Sequence, residues 1–227
     1  MSEKRPGIDK VVEYLRHTIP PPIVIDLGAH QGKTVNMWLD AGAERVVAVE
    51  PVHANWRLLE YRYNADSRVD IVLGAVAAQD WCHSGPAILF VPDDIGDKDK
   101  SQGASLFREP VKQKKRDGKI EKYHKEVVPL MSLDMLMHAH GMDAMMKIPY
   151  ITLLKVNIEG AEYDALRDVP LHLIDSIFIS WHNNPPFNTG DYPGHKAGII
   201  ANFKRNAFRL VSKETRGDHD WEFWVRG

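Results

Sequence analysis

Between Ile23 and Tyr63 the chain alternates two short β-branched runs with two helix-periodic segments, and glycines mark the first junction. The run Ile23–Leu27 leads into Gly28 and Gly32, after which Met37, Trp38 and Leu39 resume helical spacing up to Gly42. Arg45–Glu50, with Val46, Val47 and Val49, reads as a second buried strand closed by Pro51, and His53–Tyr63 as the helix after it. Strand, helix, strand, helix is the signature of a parallel sheet.

The rest of the chain extends this grammar. Upstream, Ile8, Val11, Val12 and Leu15 predict a helix over Ile8–Thr18, stopped by Pro20, Pro21 and Pro22. Downstream, Val69–Val76 reads as a third strand and Ala87–Val91 as a fourth, which enters a polar loop over 92–103. From Ser105 to Val128 two extended segments flank Asp117-Gly118, a dipeptide that supplies positive φ in a tight turn. This predicts a β-hairpin inserted at 103–129, with a basic tip of Lys112, Lys114, Lys115, Arg116 and Lys119. Ser132 caps a methionine-rich helix to His140, followed by an apolar strand Ile151–Val156 and a helix from near Ala161. Asp175–Trp181 is another strand and Gly194–Asn206 another helix; Phe208–Ser212 and Trp221–Val225 lie near enough in sequence to pair antiparallel. The expected fold is α/β, a mostly parallel seven-stranded sheet with an antiparallel final strand. No linker, low-complexity tract or repeat divides it, so residues 1–227 are expected to form one domain, with 1–22 as an N-terminal helical extension.

Composition narrows the function classes. With 227 residues, 44% hydrophobic and 26% charged, the chain can bury a substantial core, which excludes disorder and a disulfide scaffold. Its 29 basic and 31 acidic residues leave a formal charge of -2, so no global field draws it to nucleic acid or anionic membrane. The one cysteine, Cys82, has no internal partner, which fits a reducing, cytoplasmic setting. Glu3, Lys4, Arg5, Asp9 and Lys10 leave no room for a signal peptide, and apolar runs such as Ile148–Leu154 fall short of the ~20 residues that span a bilayer.

Chemistry concentrates at the first turn. Glycines there let backbone approach a ligand, and helix-start N–H groups favour partial negative charge, which points to a nucleotide or a nucleoside-bearing cofactor; a tight turn with no ligand is the plain alternative. Glu50 ends the second strand about twenty residues on, where a carboxylate can accept hydrogen bonds from both ribose hydroxyls. A dinucleotide site wants three glycines around a pyrophosphate, but this chain offers only Gly28 and Gly32. S-adenosylmethionine has no phosphate, and its cationic groups favour an acid near the turn, which Asp26 supplies.

Five strings carry a family resemblance: Asp26-Leu-Gly28-Ala-His30-Gln-Gly32, Ala48-Val-Glu50-Pro51, Gln102-Gly-Ala-Ser105-Leu106, Leu133-Asp134 and Leu154-Lys155-Val-Asn157-Ile-Glu159-Gly160-Ala161-Glu162. Together, over about Ile23 to His182, they resemble the FkbM-type methyltransferases. The resemblance implies a Rossmann-like class I methyltransferase fold, S-adenosylmethionine as donor and O-methylation of a hydroxyl on a sugar or polyketide-like small molecule. Donor contacts are then expected at Asp26, Gly28, His30, Gly32, Glu50, Pro51, Ala75, Val76 and Asn157. The family usually carries aspartate where this chain has Asn157, and an amide can orient a hydroxyl but cannot take its proton.

Methyl transfer to an alcohol needs alignment and a base near the strand ends. His182, after the strand to Trp181, is the first candidate and Glu159 the second, with Asn157 to position the acceptor. Each has a structural alternative: His182 as a donor to the loop Asn183–Asn188, Glu159 and Glu162 as acids of a helix start. Trp181, Phe187 and Tyr192 could stack on an acceptor or simply close a core. His138 with His140 and His182 with Asp191 and His195 match no standard metal-ligand spacing, so no metal is expected, with Glu159, Asp134 and His182 as the alternative that stays open. The basic hairpin reads as a solvated, edge-protecting strand pair or as an arm recruiting an anionic substrate. Asn157 also motivates a second class of function, a catalytically silent binding or assembly module; nucleic-acid methylation finds support only in the lysine-rich hairpin.

Overall fold

Strands hand their side chains alternately to two faces, and in β1 (Ile23–Leu27) Ile23, Ile25 and Leu27 join one apolar cluster while Val24 joins another. The structure, a computed structural model, describes residues 7–93, 104–106, 123–142, 151–182, 192–217 and 219–227, with backbone only at 192–194. Around β1 lie β2 (Arg45–Glu50), β3 (Val69–Leu73), β8 (Leu153–Val156), β9 (Ser176–His182), β10 (Phe208–Arg216) and β11 (His219–Arg226). They form one seven-stranded sheet in the order β10-β11-β9-β8-β1-β2-β3. β3, β2, β1, β8 and β9 run parallel, whereas β11 lies antiparallel between β9 and β10.

Helices cover both faces, and a one-turn α4 (Gln79–Cys82) lies in the connection after β3. α1 (Ile8–Arg16), α2 (Lys33–Asp40) and α3 (His53–Tyr63) bury Val11, Leu15, Val35, Trp38 and Leu59 beside Val24 and Phe178. α5 (Leu133–Ala139), α6 (Glu162–Arg167) and α7 (Tyr192–Arg205) bury Leu133, Leu136, Leu166, Ile199 and Phe203 on the other side. This is the α/β architecture that the strand–helix alternation implied, and it has the Rossmann-like form that the resemblance implied. Among the described residues, no helix is long and apolar enough to cross a membrane.

Two expectations are corrected. Val69–Val76 is not one strand: Gly74 N–H donates to Glu50 O at 3.2 Å and Ala75 N–H to Pro129 O at 2.9 Å, so the chain leaves the sheet. The short β4 (Ala75–Val76) then pairs in parallel with β7 (Leu130–Met131). Likewise β5 (Ala87–Pro92) is not a fourth strand of the main sheet; it pairs antiparallel with β6 (Tyr123–Val128) in a separate ribbon. Ser105 bridges to Phe90 on the other side of β5. The Asp117-Gly118 turn, the basic tip and Phe187 and Asp191 lie outside the described residues.

Candidate active site

At the carboxyl end of β1 the backbone turns under tight steric control. Gly28 has φ 72°, and a Cβ there would fall onto the carbonyl oxygen of Asn157, so only glycine lets the ends of β1 and β8 approach this closely. Gly32 has φ 83°, and its missing Cβ leaves room for the Tyr63 ring, which a Cβ would meet at 2.7 Å. Tyr63 uses that proximity, donating its hydroxyl to Gly32 O at 2.9 Å.

A buried ion pair fixes the same turn from behind. Lys155 Nζ lies 2.7 Å from Asp26 Oδ1 and donates to the carbonyls of Leu27 and Gly28 at 2.9 and 2.7 Å. Trp38 Nε1 donates to the other oxygen, Asp26 Oδ2, at 2.9 Å. Both oxygens of Asp26 are therefore committed inside the protein.

In front of the turn opens a cavity of about 530 Å³, a size that suits a nucleoside-bearing ligand. Glu50, 4% exposed, stands on its wall and accepts hydrogen bonds from His30 N at 2.8 Å, Val52 N at 3.0 Å and Asn55 Nδ2 at 3.3 Å. Burial pushes its carboxyl up to about 7, against the opposing pull of those donors and of Lys155. Ala75, Val76, Leu89 and Ala104 make an apolar wall beyond it, supplied by β4, β5 and the segment 104–106.

Two acceptors on residues that line the cavity are orphaned. Asn157 Oδ1 and the hydroxyl of Thr34, which is 1% exposed, line the space, and both oxygens are buried without a hydrogen-bond partner. Buried polar atoms are rarely left so, and a ligand carrying N–H or O–H donors would satisfy both. Glu159 completes this wall with φ 53°, a conformation uncommon for a side-chain-bearing residue. The hydroxyl of Ser105 donates to its carbonyl at 3.1 Å.

His182 lies behind Glu159, not on the cavity wall. Its Nδ1 is 2.6 Å from Glu162 Oε1 and its Nε2 is 3.1 Å from Glu159 Oε2. Burial would lower the imidazole, but the charges of Glu162 and Glu159 outweigh it and hold His182 well above its ordinary range. Burial would likewise raise the fully buried Glu162, yet His182 and the Gly160 N–H keep it low. His182 thus stands between two carboxyl groups, one ring nitrogen turned to each.

Comparison with known proteins matches the model of the methyltransferase FkbM domain to residues 26–210. The chain belongs to the FkbM methyltransferase family. No curated protein matches it significantly. Solved structures with similarity to this FkbM methyltransferase include a ribosomal protein methylase from Lactobacillus delbrueckii subsp. bulgaricus, at 13% identity and TM-score 0.45, covering 95% of this chain and 76% of that one. A Clostridium thermocellum protein named for rRNA methylation aligns at 8% identity and TM-score 0.48, covering 99% of each chain. WbdD aligns at 11% identity and TM-score 0.49, covering 96% of this chain and 38% of its own.

In this FkbM methyltransferase, Gly28, His30, Glu50, Pro51, Ala75, Val76, Asn157 and Glu159 come together around one cavity. Asp26 and Gly32 are not on its wall; strand alternation turns Asp26 toward Trp38 and Lys155, and Gly32 serves the packing of Tyr63. His182, expected as a base, is placed as the partner of two acids. Sequence reasoning missed Thr34, Lys33, Ile8, Arg216, His219 and Trp221, which also line the cavity. The closing hairpin carries the last three there, since β11 pairs back onto Trp181 and His182 at the same sheet edge.

Proposed function

We propose that this protein transfers a methyl group from S-adenosylmethionine to a hydroxyl oxygen of a small molecule or sugar. The observation that carries the reading is the pairing, across one cavity, of the Glu50 carboxylate with the orphaned oxygens of Asn157 and Thr34. These residues fit the donor: Glu50 toward ribose hydroxyls, the apolar wall of Ala75, Val76 and Leu89 toward adenine, and Asn157 Oδ1 and Thr34 toward the ammonium of the amino-acid tail. The bound group would supply an electrophilic methyl on a sulfonium. The chain's own part is alignment: Lys155 holds the carbonyls of the turn, Gly28 lets β1 approach β8, and His182 fixes the Glu159 carboxylate beside the acceptor. Residues 1–227 act as one methyltransferase domain in this reading.

A small acceptor suits the far end of the cavity, where Ile8 and Asp9 at the start of α1 and Trp221 of β11 stand around the space. The test is incubation with methyl-labelled S-adenosylmethionine and separate pools of hydroxylated small molecules, sugars and RNA. Label in an ether linkage on a small hydroxylated acceptor is the expected result; label on RNA alone contradicts it. Asn157, an amide where the family usually has a carboxylate, favours a second reading, a silent binding module. Donor binding with no label on any acceptor is what that reading expects.

A further inference from the structure

We propose that Glu126 is a positioning residue of the donor site, the latch that holds the adenine wall on the β5–β6 ribbon against the ribose carboxylate before α3; the assignment rests on the methyltransferase reading above. Glu126 stands directly across the ladder from Leu89, so the two side chains share one face of the ribbon. Leu89 is buried on the cavity wall, in a small apolar cluster with Val52, Ala75, Ala104 and Val128. A carboxylate turned to the same face is costly unless donors meet it there.

The donors come from the start of α3. Its cap position is Val52, whose side chain offers no oxygen, and the N–H of His53 donates instead to Glu126 Oε2 at 2.9 Å. One residue earlier, the N–H of Val52 donates to Glu50 Oε1 at 3.0 Å. Two successive N–H groups thus bind two carboxylates, one on the cavity wall and one on the ribbon. The His53 ring adds Nδ1 at 2.7 Å from Glu126 Oε2, and His124 Nε2 lies 3.1 Å from Glu126 Oε1, so both oxygens are engaged. Burial would raise the Glu126 carboxyl, but the His53 N–H and the two rings hold it below its ordinary range. His124 is braced in turn, its Nδ1 2.9 Å from Asp93 Oδ1 just past the end of β5.

Apolar packing is non-directional and leaves a ribbon free to slide over the residues it covers. The Glu126 contact adds direction, and it sets Leu89 and Glu50 at the separation that adenosine has to span.

The test is calorimetric titration of S-adenosylhomocysteine and of adenosine, with amide hydrogen exchange over 52–56 and 123–128, in the wild type and in Glu126→Gln, which keeps the side chain's volume. In the wild type S-adenosylhomocysteine is expected to slow exchange in both segments. The variant should bind both probes about tenfold more weakly, by one common factor, and at saturation should lose the slowing over 123–128 while keeping it over 52–56. A role in stability alone would lower the unfolding temperature and leave both affinities and the joint protection as they are, a result that overturns the latch. So would S-adenosylhomocysteine that binds the wild type without slowing exchange over 123–128, or a loss of its affinity with none in that of adenosine. In each of these cases the methyltransferase reading stands, because the donor's product binds. Binding of neither probe to the wild type overturns that reading and the latch with it.

Discussion

Lys155 Nζ sits among three oxygens of one stretch of the chain, Asp26 Oδ1 and the carbonyls of Leu27 and Gly28, with no exposed surface. Removing the cation would leave the Asp26 carboxylate buried without its charge partner, a change that costs about 3–5 kcal/mol. Lys155→Met should lose that much in urea denaturation at pH 7, and Asp26→Asn in the same chain should restore most of it. A loss under about 1 kcal/mol would show that the pair does not hold the turn. Glu50 gives a pH signature. Its folded value, raised to about 7 from 4.5, means that its contribution to stability is fully present below about 4.5 and is lost as pH climbs through 7. The wild type should therefore lose about 3 kcal/mol from this group between pH 4.5 and 8, and Glu50→Gln should flatten that slope. Parallel pH profiles of the two proteins in urea unfolding would contradict the burial argument.

Among the elements, α5 shows a local signal read correctly: Ser132 Oγ accepts from Met135 N at 3.1 Å, as its place before Leu133 implied. Ser132→Ala should cost about 1 kcal/mol in thermal or urea unfolding, with the cavity unchanged. β1, β2 and α3 were legible to the residue because each is a periodic run bounded by glycine, proline or a charge change. The break after Leu73 was not, because what ends β3 is the pairing of Ala75 and Val76 with Leu130 and Met131, far along the chain. For the same reason β5 looked like a member of the main sheet. Its apolar pattern fits a strand of any sheet, and the choice of β6 as partner is a tertiary fact.

At the scale of the molecule, the sheet order brings β11 against β9 and so carries the β10–β11 turn to the cavity beside Asn157 and Glu159. This explains which part of the site could be read from sequence. Gly28, Glu50, Asn157 and Glu159 lie where parallel strands end, and glycine turns and terminal acids announce such places. Ile8, Thr34 and His219 carry no such mark, since their place on the wall follows from how α1, α2 and the closing hairpin pack. Asp26 carries the mark but lies off the cavity wall, because alternation along β1 sends it to the buried side. Gly28→Ala should lose ligand binding through the same geometry, as its Cβ would force β1 and β8 apart; intact binding in that variant would contradict the close approach. The most direct measurement is calorimetric titration of S-adenosylmethionine into the wild type and into Glu50→Ala at pH 8. Micromolar binding to the first and none to the second is the predicted result, whereas no binding to the wild type, or equal binding to both, would contradict a donor held by Glu50 across the end of the sheet.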